Sequence, residues 1–145
     1  GGITTLEEKS LGAVQKGGGA PLVDVIDYGG TASRPGLTLL EAPGNDAISS
    51  TAPAAAGATM ILFTTGRGTP LGFPVPTMKI ASNSALAAAK PGWIDFDAGR
   101  VLTEGAVAVD EDFAECLLAT ASGRPTAAET GGQRAIAIWK RGVTL

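Results

Sequence analysis

The sequence contains no histidine, and this absence excludes much of the chemistry that enzymes use near neutral pH. Without an imidazole, the chain can form no Ser-His-Asp triad, no Cys-His pair and no histidine-ligated zinc site. Any acid, base or ligand that the chain itself supplies must therefore come from carboxylates, lysine, arginine or the backbone. A reaction that needs histidine would have to obtain it from outside these residues.

Cysteine is nearly absent as well. The single cysteine, Cys116, excludes an intrachain disulfide and every metal site built from several cysteines. We interpret it as a small core residue on an apolar helix stripe rather than as a nucleophile. One unpaired cysteine also suits a reducing compartment, so we expect a cytoplasmic protein.

Charge is sparse, since only 17% of the residues are charged and the net charge is −3. Nucleic acids and anionic membranes bind surfaces on which Lys and Arg are clustered in excess. One uncharged run of 20 residues, Ala47 to Gly66, has the length of a membrane span, but Pro53 and Gly57 interrupt it. We therefore expect neither a nucleic acid nor a membrane as a partner.

Hydrophobic residues make up 44% of the 145 residues, which is enough for one domain with a real core. Strand-like apolar runs alternate with helix patterns, and this order favours parallel strands joined by helices. We predict one three-layer α/β domain, with a mostly parallel, Rossmann-like sheet flanked by helices. Predicted helices are residues 5–16, 47–56, 84–89 and 111–122; predicted strands are 22–28, 37–41, 59–64, 77–80, 93–97 and 135–139.

A glycine-rich loop, Gly66 to Gly72, follows the apolar strand predicted at 59–64. Open α/β sheets bind ligands beyond the carboxyl ends of their strands, so this loop is a candidate site. Its glycine spacing matches neither a Walker loop nor the dinucleotide fingerprint, and Phe73 to Pro76 stands where a phosphate-binding helix would begin. This pattern argues against a nucleotide-binding site at the loop. Arg67 either faces a ligand, where it could pair with a carboxylate, or lies in solvent.

Acidic residues form a second candidate. Asp95 and Asp97 alternate with apolar residues, so they are expected on one face, where two carboxylates could hold Mg²⁺. Alternatively they are surface acids, or Asp97 caps a turn before Gly99. We expect Asp46 to be a helix N-cap. The lysines that could neutralise an acidic substrate, or simply be solvated, are Lys16, Lys79 and Lys90.

Long motifs follow one another through most of the chain. They are residues 2–12 (GITTLEEKSLG), 41–46 (EAPGND), 63–72 (FTTGRGTPLG), 76–80 (PTMKI), 94–99 (IDFDAG) and 139–145 (WKRGVTL). In this order they resemble the C-terminal part of the altronate and galactarate dehydratase family, sugar-acid hydro-lyases that have sulfolactate sulfo-lyase relatives. Uninterrupted motifs of this length are far more specific than a glycine pattern.

The resemblance implies loss of water from an aldonic or aldaric acid to give a 2-keto-3-deoxy acid, assisted by a divalent metal, Fe²⁺ or Mg²⁺. The resemblance identifies the motifs but does not assign a role to each residue. Our hypothesis is a substrate-binding set within or beside them comprising Asn45, Gly66, Arg67, Gly68, Thr69 and Lys79, with metal-binding candidates among Glu41, Asp46, Asp95 and Asp97. The catalytic acid and base are not assigned.

Members of the family are much longer, and the chain begins at Gly1 without an initiating Met. We therefore expect residues 1–145 to be one C-terminal domain, inactive alone, of a protein that also has an N-terminal and a middle domain. A sugar acid and those domains are the expected partners, and a homo-oligomer is left open. The alternatives are a free-standing anion or small-molecule binding module, a structural or oligomerisation domain, and a sulfo-lyase acting on sulfolactate.

Overall fold

The computed structural model describes residue 12, residues 14–140 and residue 142. The chain forms two compact units, one ending at Glu41 and the other beginning at Ala42. Of the helix predicted over 5–16, Gly12 and residues 14–16 are helical, and the remainder lies outside the described residues. No helix in the described part is long and apolar enough to cross a membrane.

The first unit contains two parallel strands, β1 (Leu22–Ile26) and β2 (Leu37–Leu40). Leu22 pairs with Leu37 and Ile26 with Leu40, with a shift in register after Leu22. The pairing continues one residue further, because the Glu41 N–H donates to Ile26 O at 2.9 Å. Both strands are half-exposed, as expected of a small sheet.

In the described part of the second unit, residues 42–140 and 142, there are a three-stranded sheet and five helices. The strands are β3 (Ile61–Thr65), β4 (Thr77–Ala81) and β5 (Phe96–Asp97). The helices are α1 (Asp46–Ala55), α2 (Ser84–Ala89), α3 (Val101–Glu104), α4 (Ala106–Ala121) and α5 (Ala127–Thr130), with a 3₁₀ turn at Ala98–Arg100 before α3.

The sheet order is β3-β4-β5, and all pairs are parallel. Every residue of the central strand β4 is buried. On one face of the sheet, Met78, Ile80 and Phe96 pack with Val109 and Cys116 of α4 to form the core. The position of Cys116 in this cluster confirms its interpretation as a core residue.

The α/β class with parallel strands and flanking helices is confirmed, although the strands form two small sheets. The predicted helices at 47–56 and 84–89 and the strands near 22, 37, 61 and 77 are present with shifts of a few residues at their ends. The helix predicted at 111–122 begins earlier, at Ala106, directly after Gly105, whose φ of +86° allows the chain to turn there.

Two local predictions were wrong. The N-cap of α1 is Asn45 rather than Asp46, since Asn45 Oδ1 accepts from the N–H groups of Ala47 at 3.1 Å and Ile48 at 3.2 Å. Residues 135–139 form no strand. The Ala135 N–H donates to Gly72 O at 2.7 Å and the Ala137 N–H to Thr51 Oγ1 at 3.1 Å, so these amides bond to a loop and a helix instead of a neighbouring strand.

Candidate functional site

The carboxyl ends of β3, β4 and β5 lie side by side, because the three strands are parallel and in register. Thr65 pairs with Ala81, and Ala81 pairs with Asp97. The residues that follow these strand ends are Gly66 to Gly68, Ser82 and Asn83, and Ala98 and Gly99. We name this part of the molecule the carboxyl edge. It is the place where open parallel sheets bind ligands.

The first half of the glycine-rich loop is fixed through its backbone. Thr65 Oγ1 accepts from the Gly68 N–H at 2.9 Å, and Asn83 Nδ2 lies 3.4 Å from Gly66 O. Gly68 has a φ of +78°, and a Cβ there would lie 2.9 Å from Leu86 Cδ1, so only glycine fits without strain. Gly68 thus shapes the loop, and the substrate-binding role expected of Gly66 and Gly68 stays a prediction.

Arg67 lies between these two glycines and its side chain is exposed. Its carbonyl oxygen accepts a 2.8 Å hydrogen bond from Lys90 Nζ, and this ammonium also lies 4.5 Å from the centre of the Trp93 ring. Within residues 12, 14–140 and 142, no carboxylate forms an ion pair with Arg67. A fixed backbone and an unpaired guanidinium at the carboxyl edge suit recognition of a carboxylate.

Asn83 connects the ends of β3 and β4, and it is not among the candidate site residues predicted from the sequence. Its Oδ1 accepts from the Leu86 N–H at 2.9 Å, which caps α2, while its Nδ2 faces Gly66 O. Gly99 lies so close that an added Cβ would overlap the backbone of Asn83 and Ser84. The exposed Ser82 completes this group. A polar pair directly after a buried strand, Ser82-Asn83, is the signal that could have found them.

Lys79 is on β4 and is fully buried. Its ammonium donates to Thr69 O at 3.2 Å and to Leu71 O, and it lies 5.7 Å from the centre of the Phe63 ring. Burial lowers the pKa of Lys79 below its ordinary value of 10.5, and the Asp95 carboxylate partly offsets this effect. A substrate could reach this ammonium only if the loop moved.

Thr69 and Asn45 also use their polar groups within the protein. Thr69 Oγ1 accepts from the Leu71 N–H at 3.3 Å, and Thr69 O accepts from Lys79. Asn45 caps α1. The substrate-binding role expected of both remains a prediction.

The two aspartates near β5 bind backbone amides. Asp95 Oδ2 accepts from the Lys79 N–H and Asp95 Oδ1 from the Ala127 N–H, both at 2.7 Å. Asp97 Oδ1 accepts from the Gly99 N–H at 2.9 Å, which is the turn-capping alternative considered for this residue. Both oxygens of Asp95 are therefore engaged in joining β4 to α5.

The carboxylates of the described residues do not by themselves form a site for a divalent metal. No three His, Cys, Asp or Glu side chains there come together as a metal site. Asp46 is the exposed first residue of α1, and Glu41 belongs to the other compact unit. A metal bound by these acids would need further ligands.

These observations define a class of protein: an α/β domain with an arginine-bearing glycine loop at the carboxyl edge of a parallel sheet. Comparison with known families then identifies it. Residues 1–144 match the family model described as "D-galactarate/Altronate dehydratase, C-terminal", and the chain belongs to this family.

Individual relatives agree with this result. The chain is 53% identical over 146 residues to an altronate dehydratase of Escherichia coli (strain K12) and 51% identical over 148 residues to one of Bacillus subtilis (strain 168). Each alignment covers 100% of this chain and 30% of the relative. A (2R)-sulfolactate sulfo-lyase subunit beta of Chromohalobacter salexigens is 37% identical over 138 residues, 92% of this chain and 36% of that protein. The chain thus spans about a third of the length of these relatives.

Proposed function

We propose that this domain binds the substrate carboxylate in an enzyme that removes water from an aldonic or aldaric acid of the altronate or galactarate type. The observation that carries the proposal is Arg67, exposed at the carboxyl edge on a loop whose backbone is fixed by Thr65 and Lys90. Identity of 53% to an altronate dehydratase supports the substrate class. The guanidinium would bind the carboxylate through two parallel hydrogen bonds.

Arg67 would contribute to the reaction as well as to binding. Removal of the proton on the carbon next to a carboxylate moves negative charge onto the carboxylate oxygens before the 3-hydroxyl departs as water. Arg67 would bind those oxygens more strongly in the transition state than in the ground state, and this difference would accelerate the reaction. Gly66 and Gly68 would let the substrate approach the loop closely.

The remaining groups are proposed to come from elsewhere in the enzyme. The chain has no histidine, and the described aspartates Asp95 and Asp97 bind backbone amides. A catalytic acid and base, and most ligands of the Fe²⁺ or Mg²⁺ that the family resemblance implies, would therefore belong to the rest of a longer protein. We accordingly propose that the domain alone is inactive, that the other domains are its partners, and that the protein is cytoplasmic. A homo-oligomer is left open.

The whole protein that carries this domain should be assayed with altronate, galactarate and sulfolactate, each with Fe²⁺ or Mg²⁺ present. We expect a 2-keto-3-deoxy acid from one of the two sugar acids. Release of sulfite from sulfolactate would instead support the sulfo-lyase reaction, which the 37% identical relative favours as the second candidate. Binding of unrelated anions without turnover would point to a binding module, and neither binding nor turnover to a structural domain.

A further inference from the structure

Lys79 has an unusual position for a lysine. It lies on the central strand of the sheet, its side chain has no exposed surface, and its ammonium faces the loop that follows β3. Desolvating an ammonium is costly, so buried lysines are rare and need strong partners. The partners here are the carbonyl oxygens of Thr69 and Leu71.

The two hydrogen-bond acceptors indicate the role of Lys79. Carbonyl groups of a loop that crosses a sheet have no strand partner, and a carbonyl buried without a donor costs free energy. A methionine at position 79 would fill the same space but would leave Thr69 O and Leu71 O without this donor. The ammonium therefore stabilises one path of the loop.

The loop is held at further points on either side. Lys90 Nζ donates to Arg67 O at 2.8 Å. At the other end, Gly72 packs so tightly that an added Cβ would overlap Gln133 O, and Gly72 O accepts from the Ala135 N–H at 2.7 Å. Lys79 acts between these two points, on the carbonyl groups of Thr69 and Leu71, which follow Arg67 in the chain.

We propose that Lys79 is a positioning residue: its ammonium holds the segment Thr69–Leu71 and thereby places the Arg67 guanidinium for the substrate carboxylate. This inference rests on the proposed function of Arg67. It assigns to Lys79 an indirect role in substrate binding, in place of the direct contact expected from the sequence.

The test uses Lys79→Met and Lys79→Arg in the whole enzyme, with Lys140→Met as the matched control, because Lys140 is exposed. We expect Lys79→Met to raise KM for the sugar acid about tenfold and to lower kcat by a smaller factor, because a displaced arginine weakens carboxylate binding and also stabilises the transition state less. Lys79→Arg keeps the charge and the donors, so its KM should lie closer to that of the wild type.

A second readout does not depend on activity. Without substrate, hydrogen exchange of the Gly68 and Leu71 amides should be slow in the wild type and about tenfold faster in Lys79→Met, because loss of the ammonium frees the loop. Amides of α4 should be unaffected. If Lys79→Met does not fold, hydrogen exchange of the wild-type protein alone tests the proposal. Loop amides that exchange as fast as those of an exposed turn would then overturn it.

Arg67→Ala, measured in parallel, separates this inference from the proposed function. If Arg67→Ala raises KM and Lys79→Met changes neither KM nor loop exchange, the positioning role is wrong and the carboxylate site stands. If Lys79→Met frees the loop while both variants keep the wild-type KM and kcat, the proposed function of Arg67 is wrong, and the positioning role fails with it. An increase in KM in both variants, together with faster amide exchange in Lys79→Met, supports the carboxylate site at Arg67 and the positioning role of Lys79.

Discussion

Asp95 and Ala127 are 32 residues apart in the sequence, and the Asp95 carboxylate accepts a 2.7 Å hydrogen bond from the Ala127 N–H. The other oxygen of the same carboxylate accepts from the Lys79 N–H, also at 2.7 Å. One side chain thus joins the first turn of α5 to the central strand. This arrangement gives the acidic residue a structural role beside the sheet.

Asp95→Asn tests this structural role. The NH2 group that replaces one carboxylate oxygen cannot accept the N–H bound there, while the remaining oxygen can still accept the other, so we expect a loss of about 1–3 kcal/mol in the free energy of unfolding. Asp110→Asn is the matched control, since Asp110 is exposed on α4, and its change should stay within about 0.5 kcal/mol. Equal denaturation midpoints for the two variants would contradict the account.

The cap of α1 provides a second test. Asn45→Ala removes the acceptor for the Ala47 and Ile48 amides and should lower the free energy of unfolding by about 1 kcal/mol. Asp46→Ala loses only its favourable interaction with the helix dipole, about 0.3–1 kcal/mol. Urea denaturation should therefore rank the Asn45 variant as the less stable, and the reverse order would restore Asp46 as the cap.

Gly72 is a third position at which the structure makes a sharp prediction. Because a Cβ there would overlap Gln133 O and meet Ala128 Cβ at 2.8 Å, Gly72→Ala should lower the free energy of unfolding by about 1–3 kcal/mol. Gly44→Ala has open space around its Cβ and serves as the control. Similar melting temperatures for both would show that the loop does not pack as described.

The pH dependence of stability tests the environment of Lys79. Its pKa in the folded state lies below 10.5, because burial disfavours the charged form, although Asp95 opposes the shift. Between the folded and the unfolded pKa the unfolded chain binds more protons, so this residue increases stability as the pH rises through that window. The free energy of unfolding of the wild type minus that of Lys79→Met should therefore grow toward pH 10.5. A difference that is constant or falls with pH would contradict the burial of the ammonium.

Much of the fold could be predicted because the signals are local. The Ala-rich helix α1 and the apolar strand β3 follow from composition and from the glycine between them, and the loop after β3 was expected where it lies. The sequence alone could not decide whether Asn45 or Asp46 caps α1, since both side chains can accept amide hydrogen bonds.

Features set by distant residues could not be predicted. Residues 135–139 have the composition of a strand, but the amide partners of Ala135 and Ala137 are Gly72 and Thr51, far away in the sequence. A lysine in a short apolar run is usually solvated, and nothing near Lys79 in the sequence indicates that two loop carbonyls would lie over it. The hydrogen bonds of Asp95 to backbone amides could not be predicted for the same reason, since the Lys79 and Ala127 amides meet Asp95 only in the folded chain.

The central claim is that Arg67 binds the substrate carboxylate, and steady-state kinetics of Arg67→Ala in the whole enzyme test it most directly. A charge-assisted hydrogen bond contributes about 1.5–3 kcal/mol, so we expect kcat/KM for the sugar acid to fall about 10- to 100-fold, with the unfolding temperature unchanged. Arg67→Lys should retain part of the activity, because an ammonium keeps the charge but not the paired hydrogen bonds. An Arg67→Ala enzyme with wild-type kcat and KM would contradict the account.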